Sequence, residues 1–103
     1  MEYFKDVAVK KTANIYFDGN VTSRTVEFRD GTLKSLGIML PGEYRFNTAS
    51  AELMEFYVGE FEVKFAESTH FESMSAPCSF EVDVNSYFDI KAKSVLDYCC
   101  SYI

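Results

Sequence analysis

Apolar and polar residues alternate with a period of two along most of this 103-residue chain, the pattern of half-buried β-strands. The first run, residues 13–17 (ANIYF), is closed by the turn signal Asp18-Gly19-Asn20, and residues 21–28 (VTSRTVEF) resume the alternation. Arg29-Asp30-Gly31-Thr32 is a second turn before residues 33–40 (LKSLGIML), and Pro41-Gly42 a third before residues 43–48 (EYRFNT). Residues 51–58 (AELMEFYV) open on the helix formers Glu52, Leu53 and Met54, so they read as a short turn that becomes a strand at about Met54. After Gly59-Glu60 come five more candidate strands at 61–65, 69–74, 79–84, 87–92 and 96–103. Short strands at this spacing predict an all-β fold, a sandwich or barrel, as one domain over residues 1–103 with no long helix.

Alternation also predicts faces. If Val26 and Phe28 point inward, Thr22 and Arg24 share their face. Tyr44, Phe46 and Thr48 form the apolar side of their strand, which turns Glu43, Arg45 and Asn47 outward. Near the end of the chain Tyr98, Cys100 and Tyr102 fall on one side, Cys99 and Ser101 on the other.

Composition narrows the function. Hydrophobic residues make up 48% and aromatics 17%, with ten Phe, seven Tyr and no Trp, a load that suits strands and barrel linings. The net charge is −6 and the only basic doublet is Lys10-Lys11, which disfavours nucleic-acid polymers and anionic membranes as partners. A single nucleoside or phosphate ion stays open, because one arginine can serve it locally. The opening MEYFKDVAVKK lacks the basic start and apolar core of a signal peptide. An odd set of thiols, Cys78, Cys99 and Cys100, fits a reducing compartment. The expectation is a cytoplasmic protein.

Glu52 and Gly59 keep the glutamate-to-glycine spacing of the first cupin motif. Counting back from Glu52, the motif's two histidine positions hold Phe46 and Thr48, and the second motif offers Asp83, Asn85 and Phe88 where proline, glycine and a third histidine are usual. The chain therefore resembles a small cupin, a jelly-roll β-barrel, that lacks all three imidazoles. One carboxylate alone holds a metal weakly, so no metal or other cofactor is expected. More specifically, YFDGNVTSRTV, LGIMLPGEYRFNTASAELMEF and DYCCSYI resemble the pyrimidine/purine nucleoside phosphorylase family from Tyr16 to the end. The resemblance implies phosphorolysis of diverse purine and pyrimidine nucleosides to free base and α-D-ribose 1-phosphate, in a metal-free barrel paired as a homodimer. Two departures stand out: Phe71 replaces a common tryptophan, and Asp83 replaces the proline of a V-P-A-N-S stretch.

Phosphorolysis asks for three roles, and the inward-facing residues supply candidates. Arg24 is the candidate phosphate clamp, since a guanidinium meets two phosphate oxygens at once; Ser23 and Thr48 would assist it, and Arg24 in a solvated ion pair is the plain alternative. Glu52 would accept hydrogen bonds from vicinal ribose hydroxyls, or else cap a turn. Glu43 is its reserve. Tyr44, Phe46, Phe88 and Tyr102 would meet the base by stacking, or simply fill the core. His70 reads as surface and Cys100 as a small buried hydrophobe. The competing function is a metal-free cupin that binds a small metabolite without turnover.

Overall fold

The structure is a computed structural model that describes residues 2–103. Among those residues, eleven strands run in the order β1 (Ala8–Val9), β2 (Asn14–Tyr16), β3 (Val21–Glu27), β4 (Leu33–Met39), β5 (Gly42–Asn47), β6 (Glu52–Val58), β7 (Glu60–Phe65), β8 (Glu72–Ser75), β9 (Cys78–Val82), β10 (Tyr87–Ala92) and β11 (Leu96–Tyr102). A seven-stranded antiparallel sheet has the order β1-β3-β4-β11-β6-β9, with β2 also paired to β3; a four-stranded sheet has the order β5-β10-β7-β8. The sheets are not joined into a closed hydrogen-bonded barrel. They face each other as a sandwich, and each inner face contributes to one core that includes Phe56, Phe61, Val63, Phe88, Ile90 and Leu96, all 1% exposed or less.

Burial alternates along β4, β5, β9 and β10, whereas β11 is buried on both sides from Tyr98 to Ser101. Boundaries shift where long-range pairing overrides local preference. Strand β6 begins at Glu52 rather than near Met54, because Glu52 pairs with Tyr102 on one side and Val82 on the other. Two ladders outweigh the helical leaning of three residues.

The face of β3 differs from the expectation. Val21 and Ser23 point into the sandwich, 0% and 4% exposed, while Arg24 is exposed. Val26 is buried too, yet on the outer side: it pairs with Val9 and Lys34, and the Lys34 ammonium lies 5.6 Å from both the Phe4 and Phe28 rings. The N-terminal segment thus covers the outside of β3. Burial at Val26 carries no information about the core, and the inward assignment of Arg24 falls with it.

Candidate functional site

A cavity of about 140 Å³ lies between the sheets, roughly ten times the ~10–15 Å³ that one water requires. Strand register explains what lines it. Across the inner face of the large sheet, Ser23, Gly37 and Tyr98 form one row, Ser35, Cys100 and Met54 the next, and Tyr102 and Glu52 the last. The opposite wall is Phe46 on β5, stacked on Phe88 of β10 with ring centroids 5.4 Å apart. Exposed Tyr16, Asn47 and Tyr102 stand at the rim.

Gly37 makes room in the middle row. The Tyr98 ring crosses β4 at this residue, and its hydroxyl reaches Thr22 O on β3 at 3.5 Å. A β-carbon at position 37 would lie 2.8 Å from that hydroxyl and 2.9 Å from Ser23 Cβ. Tyr102 leans the same way, with its hydroxyl 2.9 Å from Ser35 Oγ.

Glu52 is the one charged side chain in the lining. Its Oε1 accepts a hydrogen bond from Cys100 Sγ at 3.4 Å. Burial raises its pKa above the usual 4.5, and the thiol's hydrogen bond pulls the other way. Burial, with the Glu52 charge second, drives the Cys100 thiol far upward, so it stays protonated as the donor. Burial likewise pushes the Tyr102 phenol up to about 12.

Five of the expected site residues meet here: Ser23, Phe46, Glu52, Phe88 and Tyr102. Four do not. Arg24 lies on the outer face, where Nη1 donates to Lys11 O at 2.6 Å. Glu43 faces outward beside Arg45 and Lys91, in a shallow depression of the small sheet. Thr48 is inward and 6% exposed, but its Oγ1 donates to Asp83 O at 2.6 Å and accepts from Ser86 N at 2.9 Å. It ties two loops together rather than facing the cavity. Tyr44 packs behind Phe46, against Phe17, and donates to Leu40 O at 2.7 Å. His70 is exposed.

Sequence reasoning passed over Tyr16, Ser35, Asn47 and Tyr98, and gave Cys100 no role beyond packing. The signal for Ser35 was available: it alternates with Gly37 and Met39 on β4, so the inward face of that strand is partly polar.

The donor set does not suit a cupin metal. Phe46 and Thr48 occupy two of the histidine positions, and Thr48 is committed to the loops. Among the described residues, no three His, Cys, Asp or Glu side chains gather where they could hold a metal ion.

Solved structures place the fold. A cupin from Shewanella frigidimarina superposes with a TM-score of 0.70 at 13% identity, covering 98% of this chain and 86% of that one, so the sandwich is cupin-like. A protein of unknown function (DUF1255) from Acinetobacter sp. ADP1 superposes with a TM-score of 0.93 at 45% identity, covering 98% of both chains. The pyrimidine/purine nucleoside phosphorylases of Sulfurimonas denitrificans and Colwellia psychrerythraea are 55% and 52% identical, spanning 100% of this chain and 99% of theirs. A family model described as pyrimidine/purine nucleoside phosphorylase matches residues 11–102. With matches of that length and identity, the chain belongs to the pyrimidine/purine nucleoside phosphorylase family.

Proposed function

We propose that this protein cleaves purine and pyrimidine nucleosides with inorganic phosphate, giving the free base and α-D-ribose 1-phosphate without a metal ion. A single observation carries the reading: a family match over nearly the full chain coincides with a cavity that sets one carboxylate against an aromatic wall. In the reaction a phosphate oxygen forms a bond to the anomeric carbon while the glycosidic C–N bond breaks. The bonding pair leaves with the base nitrogen, and the proton of hydrogenphosphate ends on the base, so atoms and charge balance. Sugar carbon and oxygen become electron-poor on the way.

Glu52 is the group that answers this charge. Its ionised carboxylate accepts hydrogen bonds from the ribose hydroxyls and stabilises the electron-poor ring. Cys100 fixes its orientation through the thiol hydrogen bond. Phe46, half-buried at the cavity wall, offers a ring to any base, which fits broad specificity. Phe88 is 1% exposed and backs Phe46 instead of meeting the base.

Two further parts belong to this proposal. The reaction runs in the cytoplasm, where Cys78, Cys99 and Cys100, all unpaired, stay reduced. The chain pairs as a homodimer; the apolar outer depression that includes Val9, Ile15, Leu36 and Ile38, each at least 38% exposed, supports this. Light scattering that gives a monomer mass would remove the pairing.

The test is incubation with uridine or adenosine, with and without phosphate, in the presence of a chelator. Base release only with phosphate is the expected result. Binding of nucleoside with no release in either arm would favour the metabolite-binding cupin.

A further inference from the structure

None of the protein's ten lysines and arginines lines the cavity. Arg24 is bound to Lys11 O, Arg45 and Lys64 pair with Asp89, and Lys93 pairs with Glu62, all on outer faces. A substrate dianion would therefore enter a cavity whose one fixed charge is negative. What the cavity holds in quantity is hydroxyl groups.

We propose that inorganic phosphate is bound by a neutral donor set, the paired hydroxyls of Tyr102 and Ser35, rather than by a cationic side chain. The inference rests on the phosphorolysis reading and names its phosphate subsite.

Hydrogen-bond counting supplies the donors. Tyr102 OH and Ser35 Oγ are 2.9 Å apart, and one proton suffices for the bond between them. The pair has two protons, so one is left over; on Tyr102 it lies within reach of Cys100 Sγ, a weak acceptor that an anion in the cavity would displace. An anion accepting that proton polarises the other bond of the chain and strengthens both. Ser23 is not part of this set: its Oγ accepts from Asn14 Nδ2 at 3.3 Å and its hydroxyl bonds the Tyr98 phenol. Ser35 is 3% exposed, so bulk water does not compete freely for this pair.

Strand register places the pair. Ser35 shares a row with Cys100, next to the row of Tyr102 and Glu52, and Tyr102 leans across to it. The Tyr98 hydroxyl covers Gly37 one row further on, which leaves Ser23 behind that ring. Glu52 occupies the last row beside Tyr102, so a sugar held by Glu52 would lie next to the hydroxyl pair.

The experiment measures phosphate KM and uridine KM for the wild type, Ser35→Ala, Tyr102→Phe and Arg24→Ala. Loss of one hydrogen bond to a charged group raises phosphate KM about 10-fold or more, with uridine KM little changed, in the first two variants; Arg24→Ala leaves both constants unchanged. Unaltered phosphate KM in Ser35→Ala and Tyr102→Phe would overturn the proposal, as would a rise in Arg24→Ala of the same size. A second readout needs no turnover: phosphate should raise the melting temperature of the wild type and not that of Tyr102→Phe. If that shift appears and base release does not, the subsite stands and the phosphorylase reading fails. If phosphate-dependent release appears and the variants behave as wild type, the reverse holds.

Discussion

Gly37→Ala probes the crossing on which the cavity depends. A β-carbon there meets Tyr98 OH at 2.8 Å and Ser23 Cβ at 2.9 Å, and it overlaps Thr22 O. The phenol can swing aside. Thr22 O cannot, because β3 and β4 are held in register by Thr22 with Ile38 and Ser23 with Gly37. Overpacking of this sort costs about 1–3 kcal/mol, and displacing the Tyr98 hydroxyl adds about 0.5–1.5 kcal/mol. A total near 2–4 kcal/mol lowers the melting temperature of a domain this size by roughly 10–30 °C. Thermal melts followed by circular dichroism read the loss directly. The double variant Gly37→Ala, Tyr98→Phe separates the two obstructions: it regains only the smaller part, since the backbone overlap survives removal of the hydroxyl. A drop of less than about 2 °C in Gly37→Ala would refute the crossing geometry.

Glu52→Gln should reduce kcat/KM for nucleosides about 10- to 100-fold, the range for exchanging a charged hydrogen-bond acceptor for a neutral one. Because burial raises the Glu52 pKa, the carboxyl favours folding below 4.5, and that contribution is lost as pH rises through its raised folded value. The variant is then more stable than wild type at neutral pH, with a gain that shrinks in acid, and its activity no longer falls as pH drops through the Glu52 pKa; melting curves and pH–rate profiles check both. Phe46→Leu keeps apolar volume but loses the ring, so nucleoside KM rises several-fold while phosphate KM holds in steady-state kinetics. Thr48→Val leaves Asp83 O and Ser86 N without their buried partner, costing about 1–3 kcal/mol each; its melting temperature falls while both KM values stay within about twofold.

Most of the strands were legible because half-buried strands must alternate, and no other element of this chain competes for that pattern. Alternation reports that a residue is covered and not by what. Val26 is the instructive case: its cover is a remote N-terminal segment around Phe4 and Val9 on the outer side of the sheet, so reasoning from Val26 turned Arg24 the wrong way. Glu52 was legible as a site residue only through motif spacing, since local propensity placed it in a turn. Ser35, Tyr98 and the crossing at Gly37 depend on β3, β4 and β11 coming into register although β11 is remote from the other two in the chain, and no local signal encodes that. Thr48 was correctly read as inward, but its two hydrogen bonds go to the β9–β10 loop, whose approach is a tertiary fact.

The contrast between a cationic clamp and a hydroxyl cradle has an electrostatic consequence that sequence charge alone misjudges. The chain carries a net charge of −6, and Glu52 adds a local negative charge at the cavity, so the protein's field opposes an arriving phosphate. Salt shortens the reach of that field to about 8 Å at physiological strength and further above it. If neutral hydroxyls do the holding, added salt screens a repulsion, and phosphate KM stays level or falls as potassium chloride rises from low to moderate concentration. If an exposed arginine did the holding, salt would screen an attraction and phosphate KM would climb. The sign of this slope is independent of any substitution and of folding defects in variants. A several-fold rise in phosphate KM across that range, with uridine KM steady, would put a cation at the site and would require a chain other than this one to bring it there.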